Sequence, residues 1–118
     1  MDKQRLPRAF KNAFVGILYC VRYERNMKIH MIAACLAGCL AWWLQLDRYE
    51  MLILLLTISS VLVAEMLNTV VETLVDIVSP EVHPLAKIAK DVAAGAVLIA
   101  SIISLFVGYI LFFEKLWR

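Results

Sequence analysis

Several kinds of motif are missing from this sequence of 118 residues. It has no glycine-rich Walker A loop and none of the signature segments of protein kinases, so any nucleotide site must be built another way. Its three cysteines, Cys20, Cys35 and Cys39, show neither metal-ligand nor disulfide spacing. Cys35 and Cys39, one helical turn apart in apolar sequence, read as small packing residues. Residues 1–28 lack the apolar core and small-residue cleavage site of a signal peptide, so the first membrane segment is expected to stay in the mature protein. There is no internal repeat and no low-complexity stretch. Charge is scarce too: 63% of the residues are hydrophobic and the mean hydropathy is +0.79. That is too apolar for an ordinary soluble domain of this length. The expected class is an all-α integral membrane protein forming a single domain over residues 1–118.

The charges that remain are unevenly spread. Lys3, Arg5, Arg8, Lys11, Arg22, Arg25 and Lys28 all precede the first long apolar run. Such a head favours the cytoplasmic side and anionic headgroups, and no nucleic-acid partner is expected beside this much membrane sequence. Phe10, Phe14, Ile17, Leu18 and Val21 fall near one face of a helix, which predicts an amphipathic surface helix over about residues 6–25, with Pro7 suited to its first turn. Spans are predicted at about 29–46, 50–78 and 86–113. Trp42 and Trp43 end the first span as interfacial anchors do, and Tyr109, Phe112, Phe113 and Trp117 end the last. Pro80 and Pro84 bracket Glu81 and His83 in the clearest break. Three spans place the N-terminus and residues 79–91 on one side. The positive-inside rule makes that side cytoplasmic, since only Arg48, Lys115 and Arg118 fall on the other.

What is present, against this apolar background, is a row of polar groups. Glu65, Asn68, Glu72 and Asp76 follow the apolar run Met51–Val63 with no turn signal between. Steps of three and four residues return to the same side of a helix, so these groups share one narrow face. A charge at the bilayer centre costs about 2.5–3.5 kcal/mol on insertion scales. A row of them implies a polar cavity, a partner helix or a bound cation. Together with Glu24, Lys90 and Asp91 the set could hold Mg²⁺ through one or two carboxylates, neutralise phosphate and accept a hydroxyl proton. That suffices for a kinase acting on a lipid alcohol. Intramembrane acids also serve proton-coupled transporters, or pair with basic residues to hold an oligomer, and composition and spacing leave these readings open.

The order of residues goes further. Glu65-Met66-Leu67-Asn68-Thr69-Val70-Val71-Glu72, with Asp76 four residues on, resembles the signature of the prokaryotic diacylglycerol kinase family. Ala89-Lys90-Asp91 and the small residues Ala93, Ala94, Gly95 and Ala96 resemble its second block. The likeness runs from about Arg5 to Phe113. Arg22-Tyr23-Glu24-Arg25-Asn26-Met27-Lys28-Ile29-His30 looks like the form found in the Gram-positive branch, whose members act mainly as undecaprenol kinases. Gram-negative diacylglycerol kinases carry an acid where His30 stands and a serine where Ala94 stands.

The resemblance implies a homotrimer in the bacterial cytoplasmic membrane. Each subunit would have a surface helix and three spans, with active sites between subunits. The expected reaction is transfer of phosphate from ATP, with Mg²⁺, to undecaprenol, or alternatively to diacylglycerol. By position, Glu65 corresponds to the catalytic base, and Glu24 and Glu72 to the metal ligands beside the ATP phosphates. Lys90 and Asp91 match nucleotide-site positions, with Lys90 on the phosphates, and Arg5, Glu81 and His83 match further ATP contacts. Asn12 stands at another such contact, where the Gram-negative form has an aromatic. Asn68 would orient Glu65 or bind phosphate oxygen, Asp76 would support the site, and His30 and Ala94 would bear on the lipid.

Overall fold

The computed structural model describes residues 4–117. Lys3 of the basic head and Arg118 of the opposite end lie outside the described residues. Four helices follow in order: α1 (Arg5–Tyr23), α2 (Arg25–Leu44), α3 (Arg48–Val78) and α4 (Pro84–Leu116). α2, α3 and α4 are each long and apolar enough to cross a membrane. At about 1.5 Å rise per residue, the 20 residues of α2 span about 30 Å, the thickness of a hydrocarbon core.

Each connection has a local cause. α1 and α2 are separated by one residue, Glu24, whose extended backbone (φ −97°, ψ 117°) ends one helix and starts the next. Its N–H donates to Cys20 O at 3.0 Å, and its carbonyl accepts from Lys28 N at 3.2 Å. The Glu24 side chain caps neither helix and is left for other uses. α2 therefore begins at Arg25, about four residues before the predicted start. Arg25, Asn26 and Lys28 give no apolar signal, yet the first turn of a helix accepts polar residues readily.

α2 ends on Gln45 in the left-handed conformation (φ 53°), and Leu46 N donates to Ala41 O at 3.2 Å. Asp47 then opens α3 with a reciprocal capping box. Its Oδ1 accepts from Glu50 N at 2.9 Å, and its own N–H donates to Glu50 Oε1 at 3.1 Å. Glu50 Oε1 also accepts from Lys115 Nζ at 3.1 Å, which ties the start of α3 to the end of α4. The backbone N–H of Glu50 favours the ionised Asp47 and holds its carboxyl below the usual value. At the other end His83 caps α4, its Nδ1 accepting from Leu85 N at 3.1 Å, with Pro84 in the first turn. α4 runs to Leu116, three residues past the predicted end.

The apolar core lies near the α2–α3 turn. Ala41, Leu54 and Leu111 are buried there against Ala37, Met51, Ile58, Val107 and Phe112. The opposite end holds the buried polar residues Glu65, Asn68 and Thr69. No more than 17% of any span's apolar window is buried within the chain, so lipid or further protein must cover the rest.

Asp47→Ala is expected to lower the thermal midpoint in detergent micelles. A depressed carboxyl contributes stability above its ordinary value near 3.8 and loses it as pH falls through the folded value. The gap between wild type and variant should therefore close as pH is lowered through that range, as read by circular dichroism melts. A gap that persists in acid would mean the cap is not its source.

Candidate active site

The polar end of the bundle is organised by α3. Glu65 is 1% exposed, and Asn68 and Thr69 are 7% and 6% exposed. Spacings of three and four bring all three to the inward face. Thr69 turns its hydroxyl back along the helix, donating to Glu65 O at 3.1 Å, and Thr73 does the same to Thr69 O at 2.8 Å. Hydroxyls that could compete for the carboxylates are thus satisfied locally. Asn68 Nδ2 donates to Glu72 Oε1 at 3.2 Å, so the amide orients the second carboxylate rather than the first. Two buried acceptors, Glu65 Oε2 and Asn68 Oδ1, have no hydrogen-bond partner among the described residues. A buried acceptor left unpaired costs about 1–3 kcal/mol, so both oxygens are open to a further donor.

Around Glu65 stand groups from two other parts of the chain. His30 of α2 brings Nε2 to 3.6 Å from Glu65 Oε2. Glu24, half-buried at the α1–α2 break, lies within electrostatic reach, as does Glu72. Glu24, His30, Glu65, Asn68 and Glu72 therefore form one constellation. Glu24 joins it because the helix breaks there.

A second group lies toward the α3–α4 connection. Asp76, Glu81, His83, Lys87 and Lys90 line a pocket of about 320 Å³. Lys90 Nζ donates to Asp76 Oδ1 at 2.7 Å and also feels the charge of Glu72, which links this pocket to the first constellation. The resemblance gave Asp76 a supporting role, and its contact is with the lysine. Lys87, which sequence reasoning passed over as a site residue, lines the same pocket and pairs with Asp91 at 2.6 Å. The signal was available: Lys87 precedes Lys90 by three and Asp91 by four, so it shares a helix face with both.

Other expected site residues are not gathered here. Arg5 and Asn12 are exposed on α1, and Ala94 is exposed one turn beyond Lys90. None of the three lines the pocket beside Lys90. Asp91 is held through Lys87 rather than facing the pocket. Among the described residues no three His, Cys, Asp or Glu side chains gather as a preformed metal cage.

The chemistry available is that of an enclosed carboxylate beside an imidazole, two further carboxylates, and a pocket with two lysines. An enclosed carboxylate lies within a helix able to cross a membrane, and a pocket with two lysines lies toward its end. The family model described as prokaryotic diacylglycerol kinase matches residues 11–112. An undecaprenol kinase of Bacillus subtilis is 39% identical over 115 residues, which is 98% of this chain and 94% of that protein. A diacylglycerol kinase of Synechocystis is 41% identical over 101 residues, 85% of this chain and 58% of its own length. The diacylglycerol kinase of Escherichia coli K12 is 35% identical over 107 residues, 91% of this chain and 88% of its own. A likeness that runs from α1 through most of α4 takes in the break at Glu24, the acidic face of α3 and the lysines of α4 together, and the chain belongs to the prokaryotic diacylglycerol kinase family.

Proposed function

We propose that this protein transfers the γ-phosphate of ATP to the hydroxyl of a membrane polyprenol, undecaprenol above all, giving undecaprenyl phosphate and ADP. The observation that carries the reading is an enclosed Glu65 in a membrane-crossing helix, linked through Glu72 to the lysine pocket at the helix end. A lipid alcohol keeps its tail in hydrocarbon and its hydroxyl at headgroup level, whereas ATP stays in water. The two can meet only where an intramembrane base adjoins an aqueous pocket.

The roles follow from charge and reach. Glu65 accepts the proton of the hydroxyl as its oxygen attacks the γ-phosphate. Lys90 leaves Asp76 to bind phosphate oxygens, and Lys87, His83 and Glu81 line the same nucleotide pocket. Asn68 holds Glu72 in place. The donor set at Glu24 and Glu72 consists of hard carboxylate oxygens, two in number and without a full cage, which fits Mg²⁺ carried in on nucleotide phosphates. Held there, the ion would neutralise phosphate charge. Phosphoryl transfer needs positioning and charge neutralisation more than covalent help, so this short list is sufficient.

Undecaprenol is favoured over diacylglycerol by the near full-length similarity to an undecaprenol kinase and by His30 and Ala94. Diacylglycerol is the second reading, because other relatives carry that name. The working form is a homotrimer in the bacterial cytoplasmic membrane with the N-terminus cytoplasmic. The exposed apolar length of the spans supports assembly, and the basic residues of α1 and early α2 support the orientation. Leu6, Phe10, Phe14 and Leu18 are exposed on α1, which suits a helix lying on the membrane surface. Arg5, Asn12, Asp91 and Ala94 then reach substrate in a site completed by a neighbouring copy.

Three outcomes are expected in mixed micelles with labelled ATP. Undecaprenol should outcompete diacylglycerol as acceptor; the reverse preference would keep the kinase and change its substrate. Glu65→Gln should lower turnover by about 10²-fold or more while ATP binding and assembly persist. A near-normal rate would remove Glu65 as the base. Glu72→Gln should raise the Mg²⁺ concentration needed for half-maximal rate, and an unchanged titration would take Glu72 off the list of ligands.

A further inference from the structure

His30 is the nearest ionisable partner of the enclosed base. Its Nε2 stands 3.6 Å from Glu65 Oε2, an oxygen with no hydrogen-bond partner among the described residues. The Glu65 side chain is 1% exposed and that of His30 is 20% exposed, so the imidazole is the more accessible of the two. Met27, three residues earlier on the same face of α2, is fully enclosed like Glu65. The other titratable groups within electrostatic reach of Glu65 are Glu24 at the α1–α2 break and Glu72 on α3. Both are acids that add like charge. On α4, Lys90 is engaged by Asp76. Imidazole is the neighbour able both to donate an N–H to the carboxylate and to accept a proton from it.

We propose that His30 is the proton acceptor behind the base: its imidazole takes over the proton that Glu65 removes from the lipid hydroxyl. This rests on the reading of Glu65 as base given above. As the hydroxyl oxygen bonds to the γ-phosphorus, its O–H bond breaks and the proton goes to Glu65. The bond from the γ-phosphorus to the bridging oxygen breaks, and its electron pair leaves with ADP. The proton then passes from Glu65 Oε2 to the free Nε2 of neutral His30, leaving carboxylate and imidazolium side by side. The imidazolium returns a proton to water. The present distance is that of an ion pair and exceeds a hydrogen bond. Closing it by about 0.5 Å in the loaded site brings the pair within transfer range.

His30 also borders an apolar cavity of about 200 Å³, with Ala33, Ala34 and Ala37 on the same helix. Truncating the imidazole would enlarge a space already there, which makes chemical rescue feasible.

The test uses the full chain in mixed micelles with undecaprenol and labelled ATP, comparing wild type, His30→Ala, His30→Gln and Glu65→Gln. His30→Ala is expected to lower kcat about 100-fold, with KM for ATP and lipid within about twofold. Added imidazole is expected to restore about tenfold in His30→Ala and nothing in Glu65→Gln. A His30→Ala variant within about threefold of wild-type kcat would overturn the proposal. So would a loss of kcat in His30→Ala that added imidazole does not restore. If His30→Ala does not assemble, kcat of His30→Gln decides, and a value within about threefold of wild type overturns the proposal. A slow Glu65→Gln with a fast His30→Ala sinks only the role of His30, whereas a fast Glu65→Gln sinks the base and this role with it. If diacylglycerol proves the better acceptor, the same comparison is run on it, since the step needs only a hydroxyl.

Discussion

Keeping a carboxylate enclosed within a helix that crosses a membrane is the constraint on which the rest of this structure turns. Glu65 sits at 1% exposure, midway along a 31-residue helix. An isolated charge at a bilayer centre costs about 2.5–3.5 kcal/mol on insertion scales, and an enclosed carboxylate must be compensated wherever it lies. The chain meets this by local arrangement. Thr69 and Thr73 turn their hydroxyls to their own backbone, Asn68 attends to Glu72, and an imidazole from α2 stands beside the acid. The acceptors left unpaired, Glu65 Oε2 and Asn68 Oδ1, are open to a further donor.

The bundle divides its labour by length. Near the α2–α3 turn it is held as soluble proteins are held, by an apolar cluster, a capping box and the Glu50–Lys115 ion pair. At the other end packing is sacrificed to polar groups. That end needs α2 to start early, so that His30 falls in its second turn and faces α3. The extended backbone of Glu24 does this, and frees the Glu24 carboxylate in the same stroke, because its side chain caps neither flanking helix.

Membership of a lipid kinase family gives these features a common sense. Many kinases cradle phosphate with a glycine-rich loop, which this chain lacks. Here a proline-started helix presents Lys87 and Lys90 one turn apart, and each is held by an acid, Asp91 or Asp76. Both are exposed or nearly so, and such ion pairs are weak in water. Exchanging either carboxylate for another anion is therefore inexpensive.

Much of this was legible without coordinates. Hydropathy alone predicts three spans, and the three-and-four spacing of Glu65, Asn68, Glu72 and Asp76 places them on one face, since both signals depend only on helix geometry. The order of residues in the two blocks pointed to the family. Helix ends were less legible. Arg25 and Lys28 hid the start of α2, because a polar first turn carries no apolar period. The roles of particular side chains depended on tertiary placement. Sequence spacing could not say that Asn68 would bond Glu72 rather than Glu65, that Asp76 would hold Lys90, or that Lys87 would share the pocket. Nor could it bring His30 to Glu65 across 35 residues of chain. Helical period determines which residues share a face. Only the packing of one helix on another decides which face meets which.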